Sequence, residues 1–305
     1  MEVMEQNGFR GSFFVDYLMF RELEKLSDQW SMTDLKLLKD QIRDMVKRGH
    51  RVELHLHPHW IDAKYNGDGT WDFSDFTHYR LSTLDEDTII KMFKEGTEYL
   101  NGLAREVELG YRIVAFRAGG WAVQPFDKLK NGFETSGILI DSSTSKGMYC
   151  LEKDKSFDFR NMPDGIYHFE DDVCQEKTNG IFIEVPITSY KQNWLLKLVN
   201  AMCSSETERV TDGTHIRSCE KREPTPKRTF RDKLFSERQF MLSFSQFSSK
   251  AVFLAILLNR STVVCAIDHP KDFSKETIKG IKLISKICNN YSFNELKYDT
   301  KDYIF

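Results

Sequence analysis

Apolar positions along the chain fall into short runs that alternate with longer stretches of helical spacing. Met1 to Asn7 reads as the end of an amphipathic helix, with Gly8 as its stop. Ser12-Phe13-Phe14-Val15 is a compact run typical of a buried strand. Leu35, Leu38, Ile42, Met45 and Val46 then recur at helical spacing, predicting a helix from Thr33, as N-cap, to Lys47, closed by Gly49. Arg51–His55 is a second strand, and the polar, glycine-containing stretch 61–83 a loop. Ile89, Ile90, Phe93 and Leu100 mark the inner face of a helix over Asp85–Leu103. Strand Ile113–Phe116, a glycine pair, a helix around Gln124–Asn131, and strands Ile138–Ile140 and Ile181–Val185 follow.

Residues 204–233 break this rhythm. They are rich in Ser, Thr, Glu, Lys, Arg and Pro, poor in apolar residues, and read as a mobile or disordered insertion. The pattern resumes at Phe240–Phe244, with a helix near Gln246–Leu258, a strand Thr262–Ile267, a helix Lys275–Asn289 and a terminal strand near Phe293–Tyr298. Repeated strand–helix alternation with short apolar strands predicts an α/β fold with parallel strands, as a barrel or an open sheet. Its 305 residues suit one large domain with an insertion as well as two domains, and the expectation is a single domain over 1–305.

Composition narrows the function. A net charge of −3 argues against a general nucleic-acid binder, which would be strongly basic, and leaves a neutral carbohydrate open. Twenty-three Phe, 11 Tyr and 5 Trp provide ample core, with a few left to stack on sugars. Cys150, Cys174, Cys203, Cys219, Cys265 and Cys288 form no CxxC pair, so they read as scattered thiols. No apolar run reaches the roughly 20 residues of a membrane span; Ala251–Leu258 falls short. Residues 1–20 show no signal peptide, which makes a cytoplasmic location the default expectation.

Chemistry gathers at predicted strand ends. His55-Leu56-His57-Pro58-His59-Trp60 directly follows Val52–Leu54. One histidine there would read as an ordinary hydrogen-bonded residue. Three within five residues read as a metal site, because imidazole is the commonest protein ligand for zinc and similar ions, and Pro58 bends the chain to bring His55 and His59 round. Phe116-Arg117-Ala118-Gly119-Gly120-Trp121 offers glycine amides to an oxyanion and an arginine to a carboxylate, or else a plain glycine turn. Asp141-Ser142-Ser143 is a strand-end carboxylate or a cap. Asp268-His269-Pro270 offers a general acid or a histidine in a turn. His50, His78, His168 and His215 read as structural or solvated.

In this order the motifs resemble the polysaccharide deacetylase family of carbohydrate esterases, over about residues 1 to 290. The His-Leu-His-Pro-His-Trp form is similar to a branch associated with surface polysaccharide synthesis. The resemblance implies a distorted (β/α) barrel of about seven strands. It implies a divalent metal, usually zinc, on His55, His59 and an aspartate, with His57 a neighbour rather than a ligand. Arg117 would orient the catalytic base, Asp141 would hold His269 as general acid, and an amide near Gly120 would meet the oxyanion. The activity implied is removal of N-acetyl groups from a polysaccharide or its precursor.

Two departures follow. The family's aspartate pair ends a first strand that would precede residue 1, so both carboxylates are missing here. Truncation accounts for this better than degeneration, because the later motifs look intact. The chain as it stands is expected to be a poor catalyst, with Asp16 as a conceivable substitute carboxylate. Ala118-Gly119-Gly120 replaces the proline-containing form of the arginine motif. Two other classes compete. An amidohydrolase-like metalloenzyme would use His55-x-His57. A glycan-binding pseudoenzyme would use Trp60 and Trp121 as sugar platforms.

Overall fold

A computed structural model describes residues 1–152, 155–203, 238–245, 247–258 and 263–296. The insertion expected at 204–233, with His215 and Cys219, lies outside the described residues. The chain is a mixed α/β protein. Its main sheet comprises β1 (Ser12–Asp16), β2 (Arg51–Leu56), β3 (Ala115–Ala118), β4 (Ile140–Asp141), β5 (Tyr167–Phe169) and β6 (Phe182–Glu184). The spatial order is β1-β2-β3-β4-β6-β5. The first five in that order run parallel, and β5 pairs antiparallel with β6. This antiparallel end strand has no counterpart in the sequence expectation, because three residues are too few to show alternation.

The helices are α1 (Glu2–Glu5), α2 (Tyr17–Leu23), α3 (Gln29–Lys47), α4 (Glu86–Arg105) and α5 (Asp127–Ser136). Beyond the sheet come α6 (Trp194–Met202), α7 (Ser249–Leu258) and α8 (Lys275–Ile284). α3 starts four residues before the expected Thr33, because Asp28 is the stronger cap. Its carboxylate accepts from the amides of Trp30 and Ser31 at 3.0 and 3.1 Å. Thr33 lies inside the helix and donates to the Gln29 carbonyl. α2 and α6 were not foreseen. α2 follows β1 with no linker, so its pattern merges with the strand's. Two predicted strands also change. Residues 263–267 carry no strand pairing, and Phe293–Glu295 is a 3-10 turn. Thr262 and residues 297–298 lie outside the described residues.

Alternation along the strands sorts the two faces of the sheet. Val52, Leu54, Leu56, Phe116 and Phe182 pack with Phe93 of α4 and Phe133 of α5 in the principal core. Phe93, Phe116 and Phe133 meet at centroid distances of 4.7 to 5.4 Å. Full burial of such rings contributes roughly 1.5–3 kcal/mol each. The other face carries Phe14, Ala115, Ile140 and Ile183, covered by Cys265 and Phe293. A third cluster, around Leu242, Val252, Ile256 and Ile284, holds α7 and α8 together. Among the described residues no helix is long and apolar enough to cross a membrane.

Candidate functional site

The strand ends carry the polar chemistry. In register, Asp16 of β1, His55 of β2 and Arg117 of β3 are neighbours, so they share the second face of the sheet. On that face β2 also carries Arg51 and Glu53, an ion pair at 2.9 Å, and Pro58 opens a 3-10 turn, Pro58–Ile61, that turns the chain off the strand. That turn brings the three histidines together edge to face. The rings of His55 and His57 lie 4.3 Å apart, and those of His57 and His59 5.0 Å apart.

Each ring has a different partner. His55 bonds through Nδ1 to the Arg117 carbonyl at 2.5 Å. Nδ1 must be the donor there, which leaves Nε2 as an open lone pair. Burial, then the neighbouring charge of His57, lowers its pKa to about 3, so the imidazole is neutral. His57 bonds through Nδ1 to Asp16 Oδ2 at 3.0 Å. Nδ1 of His59 is buried with no hydrogen-bond partner. Burial, then His57, lowers the pKa of His59 to about 4.

Asp16 is the organising carboxylate. It caps α2 through the Leu18 amide at 3.2 Å, and accepts from the His57 amide at 3.2 Å and the Trp60 indole at 2.9 Å. Burial raises its pKa, but the hydrogen bond and charge of His57 outweigh this, so the net shift is downward. Asp16 is thus fully engaged. Trp60, expected as a sugar platform, has its N–H on Asp16 and its ring edge-packed by Trp71 and Phe73.

The glycine pair lets β3 approach this cluster. A Cβ on Gly119 would stand 2.6 Å from His57 Cδ2 and 2.7 Å from the Leu56 carbonyl oxygen. One on Gly120 would stand 2.5 Å from the Tyr79 hydroxyl, and Gly120 has φ +59°. Trp121 follows at φ 60°, a rare conformation for a bulky residue and a mark of local strain beside the histidines. The Arg117 side chain runs along the second face of the sheet. It donates to the Ser142 carbonyl at 2.7 Å and the Ser142 hydroxyl at 2.8 Å, and stacks on Phe14 at 4.2 Å.

Asp141 and His269 are not partners. Asp141 is in register with Phe116, one residue short of Arg117, and so lies on the face opposite His55. It accepts from the Ser143 hydroxyl at 2.7 Å and the Ser143 amide at 2.9 Å, and pairs with Glu184, its neighbour in register on β6. Both carboxyls are fully buried. Burial, then the charge of Asp141, pushes Glu184 well above the usual range, so Glu184 holds the shared proton. His269 is exposed before the 3-10 turn Pro270–Asp272, within reach of the Arg117 charge.

The sequence reading missed Tyr79 and Glu184, and gave Ser142 no role of its own within its motif. Glu184 had a signal, a lone carboxylate inside the apolar run Ile181–Val185. Tyr79 had none. His50, His78 and His168 are held by Glu5, Asp62 and the Gly180 carbonyl, as structural histidines are. Cys150, Cys174, Cys203, Cys265 and Cys288 are unpaired. A hollow of about 500 Å³ between α2 and α4 is lined by Tyr17, Arg21, Lys91 and Glu95, and none of the three strand-end histidines reaches it.

Fit to a metal is partial. His55 and His59 offer nitrogens, but among the described residues no three His, Cys, Asp or Glu side chains are gathered as a metal would need. Comparison of the chain with family models, with curated proteins and with solved structures gave no match in any of the three.

Proposed function

We propose that the chain is a metal-dependent hydrolase of the polysaccharide deacetylase kind, acting on acyl groups, N-acetyl above all, of a carbohydrate polymer or its precursor. The observation that carries this reading is the strand-end histidine cluster. The Nε2 of His55 is left open by the bond to the Arg117 carbonyl, and the Nδ1 of His59 is buried and unpartnered. These two imidazoles would hold a divalent ion, zinc first, together with a carboxylate that Asp16 is not free to supply. When bound, the ion would supply a Lewis acid and an activated water.

The remaining residues position and polarise. Asp16 fixes His57 and Trp60 and so keeps the turn on the strand end. Arg117 brings a buried positive charge beneath the cluster, and His269 is the candidate proton donor on its exposed side. The amide of Gly120 is the candidate donor to the oxyanion. In this reading Asp141 acts in the sheet, through Glu184, rather than on His269. The sheet would be the wall of a distorted barrel. In support, the 263–267 segment bonds to Thr188 and Leu242 and places Cys265 against the face that carries Phe14.

The Asp16–His57 bond favours a second reading. A carboxylate on Nδ1 is the usual support of a metal-ligating histidine, which makes His55 and His57 an amidohydrolase-like pair. Calorimetric titration with Zn²⁺ separates the two. His59→Ala is expected to lower affinity at least about tenfold, with His57→Ala changing it less than about threefold. Loss in His57→Ala with retention in His59→Ala moves the assignment to the second pair. Absence of stoichiometric zinc binding by the wild-type chain sinks both.

A further inference from the structure

The stretch from Trp60 to Tyr79 holds six aromatic residues in twenty, against 13% for the whole chain. Of these, only Trp60 joins the principal core, at its margin. Three of them, Phe73, Phe76 and Tyr79, gather instead around His59, while Tyr65 and Trp71 pack on each other. Tyr79 lies nearly parallel to His59, 6.1 Å away at 17°, while Phe73 and Phe76 meet it at 5.4 and 6.2 Å. Phe76 is 40% exposed, and its ring sits 5.9 Å from that of Tyr79. The Tyr79 hydroxyl rests over Gly120, and Gly119 in turn touches His57. A chain of contacts therefore links an exposed aromatic ring, through a tyrosine, to the glycine pair and the histidines.

The composition bears on an occupant. The wall is aromatic, with polar groups at one end and the Lys155 ammonium 5.2 Å from the centroid of the Tyr79 ring. That combination suits a ring with an apolar C–H face and a polar rim. We propose that Trp71–Tyr79 binds a neutral N-acylated sugar, with Phe76 as stacking platform and Tyr79 as the wall that directs the acyl arm toward Gly120. Trp60 is set apart from this role by Trp71 and Phe73, which pack edge-on to its ring at 5.2 and 4.7 Å. The proposal rests on the hydrolase reading for the direction in which the acyl arm points.

The test is calorimetric titration of the full chain with tri-N-acetylchitotriose, alongside the zinc titration. Phe76→Ala and Tyr79→Ala are each expected to weaken glycan binding at least tenfold, and Phe76→Trp to retain it. Zinc binding and the circular dichroism spectrum should stay unchanged in Phe76→Ala, whose ring is largely outside the core. Trp194→Ala, at an exposed aromatic elsewhere, should change nothing. Glycan binding that is absent in the wild type, or indifferent to both alanine variants, overturns the proposal. Glycan binding that depends on Phe76 in a chain that takes no zinc upholds the platform and removes the hydrolase reading instead.

Discussion

Gly119 and Gly102 are the same residue type with opposite reasons to be there. A Cβ at Gly119 meets a ring carbon of His57 and a backbone oxygen that cannot swing aside. A Cβ at Gly102, in α4, meets nothing within 4 Å. Gly119→Ala is expected to destabilise the chain by about 1–3 kcal/mol through overpacking. Gly102→Ala should stabilise it by about 0.5–1 kcal/mol through helix propensity. Urea midpoints measure both, and equal shifts in the same direction would refute the assignment of Gly119 to close approach. At this scale the sequence was legible for residues whose role is local. The glycine pair marked a close approach, and the three histidines marked a strand end. Asp16 was weighed only as a distant substitute ligand, because its partners His57 and Trp60 lie 41 and 44 positions away.

At the scale of elements, the pairing of β4 with β6 sets a pH dependence. In-register pairing holds the fully buried carboxyls of Asp141 and Glu184 side by side. The native state keeps a proton on Glu184 that the unfolded chain releases near the ordinary value of 4.5. The folded pKa is therefore above the unfolded one. Stability from this pair is complete below about 4.5 and falls as pH rises toward the folded value, by at most about 1.4 kcal/mol per pH unit. Glu184→Gln keeps the hydrogen bond without the titration. Its urea midpoint should stay flatter with pH than that of the wild type. Parallel curves for the two proteins would count against the shared proton. The sequence placed a strand at both positions but could not register them. Register across parallel strands depends on crossovers of tens of residues, not on local period.

For the whole molecule, two packing units carry different loads. Phe133 meets Phe93, Phe116, Phe126 and Phe182 in the principal core, whereas Leu242 belongs to the small cluster of α7 and α8. Phe133→Ala is expected to cost about 3–5 kcal/mol and to speed hydrogen exchange across β1 to β4. Leu242→Ala should speed it in α7 and α8 while β2 and β3 stay protected. Equal exchange of β2 in both variants would mean a single cooperative unit. By itself the sequence determined the strand–helix alternation, the parallel strands and the placing of His55, His57, His59 and Arg117 at strand ends. Each of these follows from hydrophobic period and turn residues within about a dozen positions. Only the tertiary structure decided that Asp16 holds His57, that Asp141 pairs with Glu184 rather than His269, and that the segment after Trp60 folds Phe73, Phe76 and Tyr79 around His59. Those contacts join residues that no local period relates. They form because burial leaves a polar group no partner except the one that sheet register and loop packing bring within hydrogen-bond reach.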